Sequence, residues 1–247
     1  MTVQELLHKL ETYAPMSTAE EWDNTGFAVG DLSKEVNTVV VALDLTDAVI
    51  EEAVKKKADL ILTHHPVLFN ALHVLPSTHP VYRLAEKGIA AISLHTNADK
   101  AVGGVNDCLC EQLGLEEVRT APDGMSRIGV LPAEMSASVF ADYVTGCLDT
   151  AVRIKEGTSP IRTVAVCGGA AAELVLPLLS EADAAVTGEV KHHEWLSVSA
   201  DKTLVDGGHY ATEIAVTNRF CEWLSEIDQD LHVFLHVGKA PYYTTER

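Results

Sequence analysis

Three stretches of this 247-residue chain end an apolar run in side chains that can bind a metal. Thr203 to Asp206 reads as a strand closing in Gly207-Gly208, after which His209 and Glu213 stand four apart on one helical face. Asp59 to Thr63 delivers His64-His65-Pro66, and Ala90 to Leu94 delivers His95-Thr96-Asn97-Ala98-Asp99. All three sit at the carboxyl end of an expected strand, the edge where open α/β sheets place their ligands. Neutral imidazole with carboxylate suits zinc, manganese, iron, cobalt and nickel without choosing among them. His64, His65, Asp99, His209 and Glu213 together offer enough donors for two divalent metal ions if a carboxylate bridges or water completes the shells. Adjacent strand residues face opposite ways, so His64 and His65 share a cluster only because Pro66 ends the strand there. Two divalent ions outweigh two carboxylates, leaving positive charge for hydroxide, phosphate or another anion. A structural zinc site normally closes its own shell, so the balance points to catalysis or anion binding.

Taken singly, these signals have ordinary readings. A lone histidine after a strand is usually a hydrogen-bonded loop residue, and H-x-x-x-[D/E] recurs by chance; the three stretches together select metal. Around them, His95 is placed to orient a ligand or carry a proton. Glu189, His192 and His193 follow the strand ending at Thr187 and either look into the same cleft, with Glu189 and His193 moving protons, or form a solvated first helical turn. Gly103-Gly104 and Gly168-Gly169 stand near helix starts where phosphate oxygens can dock, or are simply tight turns. Trp22-Asp23-Asn24 either closes the site or anchors a turn by packing. His8, His73, His79, His232 and His236 are read as structural. No P-loop, G-x-S-x-G or dinucleotide fingerprint is present, which leaves serine and cysteine nucleophile mechanisms little to stand on.

The elements that must position these residues alternate. Strand Thr38 to Leu43, helix Asp47 to Lys57, strand to Thr63, a proline-containing connection, helix Val81 to Lys87 and strand to Leu94 form the pattern of a mostly parallel sheet flanked by helices. The second half repeats it. Thr163 to Cys167 sits where Thr38 to Ala42 sat, Ala182 to Thr187 lines up with Ala58 to Thr63 after one gap, and the strand before His209-x-x-x-Glu213 matches that before His95-x-x-x-Asp99. The fold class expected is therefore α/β, two related lobes, with a first lobe over 1–124 and a second over 125–247. The boundary falls at the turn Ala121-Pro122-Asp123-Gly124, and a last strand over 231–237 is free to return to the first lobe.

Bulk properties narrow the partners. A formal charge of −18, from 36 acids against 18 bases, opposes binding of nucleic acid or an anionic membrane. Five cysteines without C-x-x-C suggest neither a disulfide framework nor a thiolate zinc site. With no signal-peptide pattern and no apolar run near the ~20 residues of a membrane helix, the expected location is the cytoplasm.

Five ordered blocks carry a resemblance: Glu20-Glu21-Trp22-Asp23-Asn24-x-Gly26; Leu62-Thr63-His64-His65-Pro66; His95-Thr96-Asn97-x-Asp99 with Gly103-Gly104-Val105-Asn106-Asp107; Thr187-Gly188-Glu189 with His192-His193; and Gly208-His209-Tyr210-Ala211-Thr212-Glu213. In this order they resemble the Nif-three-like family (NGG-interacting factor three), whose members are often labelled GTP cyclohydrolase I type 2 homologues. The resemblance implies a two-lobed α/β protomer with a dinuclear metal site in the cleft, assembled as a toroidal homohexamer. It puts the ligands on His64, His65, Asp99, His209 and Glu213, with Glu213 as bridge. Longer members carry an extra domain between the lobes, where this chain has only the short connection near 121–130. The label implies hydrolytic opening of the guanine imidazole ring of GTP with loss of formate, hence an anionic nucleotide substrate. A non-catalytic, metal-binding homo-oligomeric scaffold or regulator is the alternative.

Overall fold

The β-branched run from Thr38 and its counterpart from Ile161 form strands buried along most of their length, and some of the helices begin where a polar side chain caps them. Thr2 and Glu5 form a reciprocal capping box, while Thr46 accepts from Val49 N and Ser136 from Val139 N. The computed structural model describes residues 1–242. In chain order its elements are α1 (Val3–Leu10), β1 (Gly26–Val29), β2 (Thr38–Ala42), α2 (Asp47–Lys56), β3 (Leu60–Thr63), α3 (Pro80–Lys87), β4 (Ala90–Ser93) and α4 (Thr96–Lys100). There follow α5 (Val105–Gln112), β5 (Glu116–Thr120), β6 (Arg127–Met135), α6 (Ala137–Leu148), β7 (Arg153–Lys155), β8 (Ile161–Cys167) and α7 (Ala172–Leu178). The chain ends with β9 (Ala184–Thr187), α8 (His192–Ser197), β10 (Thr203–Asp206), α9 (His209–Glu213), α10 (Val216–Ile227) and β11 (His232–Leu235).

The chain forms two units, Met1–Val102 with Val216–Lys239, and Gly103–Ala215 with residues 240–242. The first holds a five-stranded sheet in the order β1-β4-β3-β2-β11, parallel except for β1. The second holds a six-stranded sheet, β5-β6-β8-β9-β10-β7, whose centre β8-β9-β10 is parallel and whose outer pairings are antiparallel. The boundary expected at residue 124 lies earlier, because α5 packs against β6 and β8 and β5 pairs with β6 of the second sheet. The last strand lies parallel beside β2, and α10 before it belongs to the first unit too.

The repeat is visible in the strand order: β1-β4-β3-β2 corresponds to β7-β10-β9-β8, with β1 and β7 each antiparallel at the same edge. One carboxylate device recurs. Asp59 accepts from the backbone N–H groups of Asn37 and Thr38, and Asp183 accepts from those of Arg162 and Thr163. In each case the aspartate ahead of one strand ties down the start of its neighbour. Register sharpens the sequence alignment by one residue. Thr63 pairs with Ser93 and Thr187 with Asp206, so Thr96 corresponds to His209, and His95 to the glycine before it.

Alternation along the strands builds the core. In the second unit Val164, Val166, Ala184, Val186 and Val205 pack towards α5 and α6, whereas Ala165, Cys167, Ala185 and Leu204 pack towards α7. In the first, Val40, Ile61 and Ala91 meet Val49, Ile50, Ala53 and Leu84 from α2 and α3. Among the described residues no helix is long and apolar enough to cross a membrane.

Candidate metal centre

In the first unit the donors gather at the carboxyl ends of β3 and β4. The chain does not simply run straight past Thr63: its hydroxyl donates to His65 O at 2.8 Å and lies 2.9 Å from Ser93 Oγ. That turn within the next two residues brings the adjacent rings of His64 and His65 to 4.9 Å, where a regular strand would send them to opposite faces. His95 joins them, with ring centroids 5.2 Å from His64 and 5.7 Å from His65, and one nitrogen of each of the three rings lies within 4.8 Å of the others. Asp99, on the last turn of α4, puts Oδ1 3.7 Å from His64 Nε2.

What the rings do with their other nitrogen decides what they offer. His64 Nδ1 lies 2.8 Å from the Leu94 carbonyl, and since a carbonyl can only accept, Nδ1 carries a proton and Nε2 is the nitrogen turned towards Asp99. His65 Nδ1 is 2.6 Å from Asp44 Oδ1, and His95 Nδ1 is 2.8 Å from Asp23 Oδ1. Burial pushes the Asp23 carboxyl up, but hydrogen bonds from His95 and Thr96 and the charge of His95 outweigh it and hold it down at about 2. Asp23 is therefore ionised, and it fixes the His95 tautomer.

In the second unit α9 opens directly after Gly208, whose φ of +80° suits glycine. One helical turn sets His209 Nε2 3.1 Å from Glu213 Oε2, while His209 Nδ1 lies 2.8 Å from Glu189 Oε1. Glu213 is only 5% exposed. Its carboxylate fills the space over Gly169: a Cβ there would run into Oε1 and come within 3.4 Å of His209 Nε2. The Gly168-Gly169 turn is pinned by Asn106, which accepts from Gly168 N at 2.8 Å, and by Thr212 Oγ1, which accepts from Gly169 N at 3.1 Å. This glycine pair is thus a seat for Glu213, and the expected room for phosphate is taken. Gly103 offers no open anion site either, since its N–H donates to Asp107 Oδ2 at 2.6 Å.

Each sequence-expected residue has a definite place. His64, His65, His95 and Asp99 come together in one unit, and His209 and Glu213 in the other. Glu189 orients the His209 ring, and His193 lies on the exposed first turn of α8, outside this cluster. Sequence reasoning missed the partners Asp44, Asp23 as a ring-holder and the Leu94 carbonyl. Asp44 does follow the end of β2 at the same sheet edge as His65, a usable signal. A ring whose second nitrogen is held by a carboxylate or carbonyl is the usual surrounding of a metal-bound histidine, and all four rings have it. The donor set therefore fits a divalent ion of nitrogen and oxygen preference.

Comparison with known proteins agrees in extent. The chain is 32% identical over 235 residues to the "GTP cyclohydrolase 1 type 2 homolog" of Methanocaldococcus jannaschii, covering 91% of this chain and 95% of that protein. It is 30% identical over 258 residues to "NIF3-like protein 1" of Drosophila melanogaster, covering 97% and 88%. A hypothetical protein of Staphylococcus aureus has a crystal structure that superposes with a TM-score of 0.90 at 25% identity, over 99% of each chain. With residues 1–241 matching its family profile, the chain belongs to the Duf34/NIF3 (NGG1p interacting factor 3) family.

Proposed function

We propose that this protein is a divalent-metal-dependent hydrolase of a nucleotide-like anionic substrate, with opening of the guanine imidazole ring of GTP as its most specific form. The observation that carries the reading is the shared orientation of four imidazoles. His64, His65, His95 and His209 each engage Nδ1 with a carbonyl or carboxylate, the contact that commonly backs a metal-bound imidazole. Neither unit's donors alone complete the shells of two ions. We infer that His64, His65, Asp99, His209 and Glu213 would hold the metal, the ligand set that the family resemblance implies. The name of the Methanocaldococcus jannaschii relative supports the choice of reaction.

Ions held by these donors supply Lewis acidity and a water acidic enough to attack near neutral pH. The chain's own groups do the rest. Asp44 and Glu189 hold the planes of His65 and His209. His95, backed by the ionised Asp23, takes up a proton at Nε2 and returns it to the leaving group, the carboxylate stabilising the imidazolium in between.

Metal-loaded protein incubated with GTP should release formate, and Glu213→Ala should abolish the release. Full metal binding without turnover across a panel of nucleotides would instead assign the protein to the non-catalytic, metal-binding class.

A further inference from the structure

Two large aromatic rings stand in water beside the three-imidazole cluster. Trp22 is 60% exposed and Phe69 is 51% exposed, although Phe140, Phe220 and Trp223 of the same chain are buried. Their ring centroids are 5.9 Å apart with planes tilted by 46°, and each presents an edge-on contact to His95, at 6.1 Å from Trp22 and 6.4 Å from Phe69. The loops that carry them are fastened together, since Asn24 Nδ2 donates to Leu68 O at 2.5 Å. Asp23, next to Trp22, accepts from His95 Nδ1 and from Thr96 N and Oγ1. The rings are thus held in place without being packed.

The fold does not need them. Since Gly26 of β1 corresponds to Arg153 of β7, Trp22 corresponds to Asp149, and the stretch Asp149-Thr150-Ala151-Val152 holds no aromatic residue. There the second unit has instead an open cavity of about 500 Å³, lined in part by Ala151, Val152 and Glu189. A tryptophan that one copy of the repeat carries and the other omits, exposed with Phe69 and beside candidate metal donors, calls for a ligand. In a chain of net charge −18, affinity for an anionic substrate is better drawn from a neutral π-face than from its phosphates. Every nucleobase offers such a face for stacking on aromatic side chains.

We propose that Trp22 and Phe69 form the platform on which the planar nitrogen heterocycle of the substrate stacks, next to His95. This rests on the nucleotide reading above for the class of substrate and adds where its base binds.

The test is calorimetric binding of guanosine and, separately, of ribose 5-phosphate to zinc-loaded full-length protein, with zinc content and melting temperature measured for each variant. Guanosine should bind, Trp22→Ala and Phe69→Ala should each raise its Kd about tenfold or more, the size of one lost base-aromatic stack, and Trp22→Phe should restore most of the affinity. Ribose 5-phosphate affinity and zinc content should stay as in the parent. The proposal is overturned if guanosine does not bind, if its Kd in both alanine variants equals that of the parent, or if ribose 5-phosphate is affected equally. Loss of an oligomer in these variants without loss of guanosine affinity also overturns it, and assigns the patch to contact between copies. Trp22-dependent guanosine binding in a protein that releases no formate leaves the platform standing and sinks the hydrolase.

Discussion

At the scale of single residues, the site is built by what the donors lean on. Gly169 is the sharpest case: its φ of +66° and the Glu213 carboxylate above it both exclude a side chain. Gly169→Ala should displace Glu213 and cut metal affinity by an order of magnitude or more, read by competition with a chromophoric chelator. The same change should cost about 1–2 kcal/mol of stability from the left-handed backbone alone. Asp23 gives a pH prediction. Its folded pKa, about 2, is below the unfolded value near 3.9, so its contribution is complete above pH ~4 and is lost as pH falls towards 2. In metal-free protein, the melting-temperature gap between the parent and Asp23→Asn should close on acidification below pH ~4. The donor residues themselves were legible because histidines after apolar runs stand out in a sequence. Their partners were not. Asp23 reaches His95 across 72 positions and Asp44 reaches His65 across 21, separations that no local pattern encodes.

At the scale of elements, the duplicated plan was legible because buried parallel strands are uninterrupted β-branched runs, and two sets of them recur at similar spacing. Strand β5 was not legible, because Glu116–Thr120 is exposed throughout and shows no apolar alternation. It exists by pairing with β6. Nor could sequence show that the H-x-x-x-[D/E] pairs of α4 and α9 are one residue out of step, since only the strand register fixes that. The repeated aspartate device carries a test. Asp59→Ala and Asp183→Ala each remove a charged acceptor from two backbone N–H groups at a strand start, and each should cost about 2–4 kcal/mol. Chemical denaturation of both variants checks it; a cost under 0.5 kcal/mol in either would show that water replaces the carboxylate there.

At the scale of the whole molecule, the two units are the same device put to unequal use. The first contributes three clustered imidazoles and Asp99, the second one imidazole and Glu213 on its glycine seat. The division of the chain was legible only in part. The return of α10 and β11 to the first unit follows from pairing with β2, a contact that spans nearly the whole chain. The most direct measurement is the metal content of the purified full-length protein, loaded with zinc and freed of loose ions, beside that of His64→Ala and Glu213→Ala. Two ions per chain in the parent, with a loss in each variant, is the result expected if His64 and Glu213 are metal ligands. A parent without stoichiometric metal, or variants that keep both ions, would contradict it.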